Sequence, residues 1–256
     1  IALAASFGWR HCFLAVSLFG LLWVAVWLKF YPSSVTSSAP RPIGGFGFRQ
    51  ALRYRQTRGF ALSKVLVDPL WYFLLFWLPL YFREVRGLEM QQIGWALPCI
   101  YFASGVGSVS AGWFSGFLLR RGHSRQVARM ATLFLCAAIP PLALTGAMTG
   151  TLTQTIALFS AAAAAHQAFS SISFTIPGDV FPSQTLGTVL GFGSFAGTLS
   201  SVLFSAILPG YLIPLLGYRP LLMTLSFGYI AAVTVIYYHF GDFSPAPSEP
   251  PPAADL

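Results

Sequence analysis

A single aspartate interrupts the stretch VLVDPLWYFLLFWLPLYF, residues 65–82, which otherwise holds seven aromatics, two prolines and aliphatic residues. Coiled as a helix, this stretch puts Trp71, Tyr72 and Leu75 on the face of Asp68, at i+3, i+4 and i+7. A carboxylate beside an indole and a phenol can line a polar cavity. There it can carry a proton or accept a hydrogen bond from a ligand hydroxyl. Two quieter roles fit the same residue. It can pack in neutral form against a neighbouring helix, or cap a helix that restarts at Pro69.

The second group is HQAFSS, residues 166–171, where His166, Phe169 and Ser170 fall on one helical face that Ser173 continues, and where His166, Gln167 and the serines offer an imidazole, an amide and hydroxyls. That set suits a polyhydroxy acid, and it equally suits hydrogen bonds between packed helices. A Ser–His nucleophile reading lacks any nucleophile elbow or oxyanion signature. Cys12, Cys99 and Cys136 are odd in number, sit in apolar segments and have no metal-ligand spacing. No cofactor or metal is expected, and the chain does not read as an enzyme. Near the chain's third apolar segment, Arg120 and Arg121 form a basic pair, and Asp179 in PGDVFP is a partner for one of them or an N-cap for the following turn. Gly187, Gly191, Gly193 and Gly197 form small-xxx-small pairs that let helices approach closely, and Ser194 among them is a further cavity candidate.

Long apolar elements must position these residues. Of 256 residues, 55% are hydrophobic and only 9% charged, and the mean hydropathy is +0.68. A water-facing surface needs about 25% charged residues, so most of this surface faces lipid. Seven stretches are long enough to span a bilayer: 11–30, 61–82, 93–118, 129–148, 153–176, 186–208 and 219–240. The uncharged run from Met130 to Gly178 is divided at LTGAMTGTLTQ, where Gly and Thr cluster. Eleven of the fifteen basic residues fall at residues 29–64 and 119–129, and four (Arg10, Arg83, Arg86, Arg219) on the alternate side. The bias makes 31–60 and 119–129 cytoplasmic. Lys64 is counted there as a flanking cation, so the spans read as lacking a cation for a carboxylate. The net charge of +8 serves orientation and headgroup contact, not nucleic acid. The expected organisation is a helix at 1–30, a basic linker at 31–60 whose RQALRYRQTR portion can form an interfacial helix, a six-helix bundle at 61–240 and a disordered cytoplasmic tail at 241–256. A start at Ile1, within an apolar segment, reads as a fragment.

Four stretches resemble the major facilitator superfamily, in its anion:cation symporter branch with hexuronate transporters. They are GWRHCFLAVSLFGLLWVAVWLKFYP, DPLWYFLLFWLPLYF, AGWFSGFLLRRGHSRQVAR and HQAFSSISFTIPGDVFPSQTLGTVLGFGSFAG, similar in turn to helix six, helix seven, helix eight with its loop, and helices ten and eleven. The resemblance implies an all-α polytopic membrane protein with about seven transmembrane helices, equivalent to helices 6–12 of twelve. It implies a bacterial inner-membrane location, and the first five helices supplied by the same gene or another chain. The implied function is proton-coupled symport of an organic anion such as a hexuronate, by alternating access between two bundles. Asp68, Trp71, Tyr72, His166, Gln167, Ser170 and Ser194 are then candidates for substrate or coupling, and Arg120, Arg121 and Asp179 for a cytoplasmic gate.

Two departures stand out. Phe169 and Ile172 replace the Trp and Asn usual in hexuronate-type members, and Gly116 and Phe117 occupy the places of the usual gate Asp and Arg. A truncated product without transport activity, or a seven-helix receptor, are the competing functions. If Asp68 couples protons, Asp68→Asn is expected to weaken uptake while leaving the fold intact.

Overall fold

The computed structural model describes residues 8–31 and 46–246. Helix α1, Trp9–Phe30, buries none of its residues against the rest of the described chain. Its rings stack on one another instead, Trp23 on Trp27 at 5.3 Å and Trp27 on Tyr31 at 4.6 Å. A helix that is apolar all round needs lipid or protein on every side.

The bundle begins with the short α2, Phe48–Arg53, and the long α3, Arg55–Glu84. The part of the expected linker within the described residues is therefore folded. Ala51 and Tyr54 are buried, because α2 packs on α3 and α7 rather than lying free on a surface. There follow α4 (Met90–Arg120), α5 (Arg125–Ala147) and α6 (Leu152–Val180). Next come α7 (Ser183–Ser201), a π-helical segment (Val202–Ile207), α8 (Leu208–Leu216) and α9 (Tyr218–Phe240). Caps explain two of the starts. Ser124 Oγ accepts from Val127 N at 3.2 Å. Thr151 Oγ1 accepts from Gln154 N at 3.4 Å, while Gln154 Oε1 accepts from Thr151 N at 2.9 Å. The uncharged run thus divides within the Gly/Thr cluster, between Ala147 and Leu152.

Six of these elements are long and apolar enough to cross a membrane: α1, α3, α4, α5, the continuous rod Ser183–Leu216, and α9. The exception among the long helices is α6, whose 29 residues include His166, Gln154 and Gln167 in addition to Ser and Thr. It can carry them because it is packed between α4 and α5. The bundle comprises two groups of three, α4–α5–α6 and α3–α7/α8–α9, joined where α5 meets α9 and α3 meets α6. Phe73, Phe82, Phe159, Phe169 and Tyr229 fill its core.

Prolines within membrane helices leave carbonyls without N–H partners, and two are repaired across helices. Pro69 cannot serve the Val65 carbonyl, and Ser200 Oγ donates to that oxygen at 3.1 Å. Pro209 cannot serve the Ser205 carbonyl, and Trp77 Nε1 donates there at 2.7 Å. Ser205 Oγ donates to the Pro69 carbonyl at 2.6 Å. Helix α3 consequently runs unbroken through Pro69, and Asp68 is not an N-cap.

Arginines close both ends. Arg55 donates through Nε to the His239 carbonyl at 2.9 Å and through Nη2 to that of Tyr238, capping α9. Arg86 reaches the carbonyls of Gly150 and Ala147 at 2.9 and 2.7 Å, capping α5. The expectation of disorder from residue 241 fails for 241–246. Phe243 is buried, and Ala246 N donates to the Val180 carbonyl at 3.0 Å. Residues 247–256 lie outside the described residues.

Candidate functional site

Asp68 has a partner that the sequence reading assigned elsewhere. Lys64, one helical turn earlier, donates to Asp68 Oδ1 at 2.6 Å, and the two side chains are 5% and 12% exposed. The reading that the spans lack a cation is thereby corrected: Lys64 lies within α3 and is buried. Burying either charge alone is costly, and placing them one turn apart lets each offset the other's desolvation. The ammonium also lies 3.5 Å from Ser170 Oγ of α6 and 4.5 Å from the ring centroid of Phe174. On the far side, α7 contributes Gly197, where a Cβ would collide with the Asp68 carboxylate and crowd Lys64. A glycine is required there because the ion pair fills the space a side chain needs.

One turn further, Trp71 stacks on His166, with centroids 5.0 Å apart and planes 5° from parallel. His166 is buried, and its Nδ1 is hydrogen-bonded to the hydroxyl of Tyr229 from α9, which has no exposed surface. Phe169 packs edge-on against the Tyr229 ring at 5.4 Å. Tyr101 of α4 stands edge-on to Trp71 at 6.1 Å and donates to the Leu74 carbonyl at 3.4 Å. The site is therefore an ion pair and an aromatic–imidazole stack placed side by side on α3, α6 and α9.

Of the sequence candidates, Asp68, Trp71, His166 and Ser170 come together. Tyr72 packs against Phe76 instead, at 6.1 Å. Gln167 and Ser194 are half-buried and make no side-chain hydrogen bond among the described residues. Sequence reasoning missed Lys64, Tyr229 and Tyr101. The i,i+4 spacing of Lys64 and Asp68 was a usable signal, as was a tyrosine in mid-span, whose hydroxyl needs a partner at that depth.

At the end of the bundle carrying the basic loop, Asp179 pairs with Arg129 and with neither member of the expected Arg120–Arg121 pair. Arg129 Nε is 2.9 Å from Asp179 Oδ2, and its Nη1 donates to Ser115 Oγ at 2.8 Å. This triad ties the ends of α4, α5 and α6 together. Arg120 and Arg121 are exposed, and Arg121 lies over the Phe117 ring at 4.9 Å. Phe117 serves as the platform for that guanidinium.

The family model described as Major Facilitator Superfamily matches residues 1–205. The chain belongs to that superfamily. It is 24% identical over 254 residues to a D-galactonate transporter of Escherichia coli O6:H1, covering 89% of this chain and 57% of the relative. A hexuronate transporter of Escherichia coli K12 is 26% identical over 257 residues, covering 90% and 57%. A probable anion transporter of Arabidopsis thaliana chloroplasts is 25% identical over 260 residues, covering 92% and 50%. The chain spans about half the length of these relatives. They are transporters rather than enzymes, of the anion branch that the sequence motifs resemble.

Proposed function

We propose that this chain forms one wall of the substrate path in a secondary transporter that moves a sugar acid together with protons. The observation that carries the reading is the buried Lys64–Asp68 pair, set beside Ser170 and the Trp71–His166 stack. A structural ion pair of this depth is poor value for stability, since an apolar pair of like volume does as well. Its chemistry suits a carboxylate ligand. The ammonium has three donors, Ser170 offers a hydroxyl, and an indole face can lie along the apolar side of a sugar ring.

Charge balance supplies the coupling. A substrate carboxylate brought to Lys64 beside an ionised Asp68 puts two anions against one cation at low dielectric. A proton on Asp68 removes the excess, so one carboxylate enters with one proton. The second bundle, made of helices preceding this chain's bundle, supplies the opposite wall, and the two rock about the site. The Arg129–Asp179–Ser115 triad closes the cytoplasmic end, with Arg120 and Arg121 beside it. The excess of basic residues at that end supports a cytoplasmic orientation, and the bacterial relatives support an inner-membrane location. The names of the bacterial relatives, which cover galactonate, hexuronate and glucarate, support an aldonate or uronate substrate.

The test is uptake of radiolabelled D-galactonate, D-glucuronate and D-glucose by cells expressing the gene. Both acids are expected to enter and glucose is not. Lys64→Met should reduce acid uptake at least about tenfold, the loss of one charge-assisted contact. Equal uptake of glucose, or unchanged acid uptake by a normally expressed Lys64→Met, rejects the reading.

A further inference from the structure

Helices α4, α5 and α6 enclose a groove of about 510 Å³ that the transport reading does not use. Its floor is Ala161, Ala164, Ala165 and Ala168 of α6, and its rims include Trp113 of α4 and Leu135 of α5, which are 65% and 56% exposed. The floor is low because Gly107 of α4 lies directly against the Ala164 backbone. The groove ends beneath the α4–α5 loop, LLRRGHSR, which carries Arg120, Arg121 and Arg125. All three arginines are exposed, and none forms an ion pair among the described residues. No acidic residue occurs between Glu89 and Asp179, and Asp179 is taken by Arg129.

A ladder of side chains connects the two features. Trp113, on the groove rim, stacks with Phe117 at 5.8 Å and 17°, and Phe117 carries the Arg121 guanidinium 4.9 Å above its ring. Depth agrees as well. At a rise of 1.5 Å per residue, Phe114 and Thr132 lie about 9–10 Å below the arginines, and Val106 and Ile139 about 21 Å below. One leaflet, from its headgroups to the bilayer midplane, is about 20–22 Å deep. A headgroup held at the loop would therefore send an acyl chain along the whole groove.

We propose that this face is a binding site for one anionic phospholipid. The phosphate of a headgroup with net negative charge rests on Arg120, Arg121 and Arg125, and one acyl chain lies in the groove between α4 and α5. The sign of the charge selects the lipid class, and the apolar channel beneath separates a site from a diffuse attraction to the leaflet.

Native mass spectrometry of the whole chain, released from detergent with equal amounts of phosphatidylglycerol and phosphatidylcholine of the same chain length, tests this. One phosphatidylglycerol should remain bound in preference to phosphatidylcholine. Each arginine changed to Gln should weaken its retention about five-fold, while the triple Arg→Lys variant should keep the preference. Ser110→Phe, an exposed position on the groove wall, should displace the lipid although all three arginines remain. Equal retention of the two lipids overturns the proposal. So does unchanged phosphatidylglycerol retention in Ser110→Phe, which would mean loop charge without a chain site. A dimer carrying no lipid would show that a second copy covers the face, and also overturns it.

Discussion

Asp68 is tolerated in the middle of an apolar helix because Lys64 lies one turn before it, and the two must be judged together. The expectation that Asp68→Asn leaves the fold intact was made without that cation. Removing the carboxylate leaves a buried ammonium unpaired, and about 3–5 kcal/mol of stability should go with it. The double change Lys64→Met with Asp68→Asn removes both charges and should restore most of that loss. Thermal melting of the two variants in one detergent measures the difference, and equal destabilisation would mean that the pair does not share its desolvation. Tyr229→Phe should cost about 1–3 kcal/mol by leaving His166 without its partner. Tyr72→Phe should melt like the parent, because Tyr72 makes only a ring contact among the described residues.

At the scale of elements, the helices depend on donors from far along the chain. Ser200 serves the Val65 carbonyl across 135 residues, and Trp77 serves that of Ser205 across 128. This explains what was legible and what was not. Span positions follow from composition and caps, so the uncharged run of residues 130–178 could be divided correctly at its Gly/Thr cluster. A proline's local rule forecasts a break, whereas the repair at Pro69 comes from α7, which no local pattern around Pro69 shows. The glycine ladder was legible as a group and not by member. A Cβ at Gly193 would meet Phe60 and one at Gly197 would meet Asp68, while Gly187 and Gly191 face open space. Gly197→Ala should therefore impair transport through displacement of the ion pair. Gly191→Ala should match the parent in the same uptake assay.

For the whole molecule, composition pointed to a membrane protein, because a chain with 9% charged residues cannot clothe its surface in water, and the length of the apolar runs together with the family resemblance pointed to spanning helices. The candidate site was half legible. Asp68, Trp71, His166 and Ser170 were found by type and spacing, whereas Lys64 was hidden among flanking cations and Arg129 among loop cations. Both were missed for one physical reason: pairing across a turn or between helices decides whether a basic residue faces water or lies inside. In the proposed coupling, Asp68 carries the proton that balances the substrate's charge at Lys64. The most direct measurement compares parent and Asp68→Asn protein for two activities, exchange of labelled for unlabelled sugar acid and accumulation driven by a pH gradient. Asp68→Asn is expected still to exchange, which also shows that it is folded, and no longer to accumulate. Accumulation at the parent level would contradict that coupling.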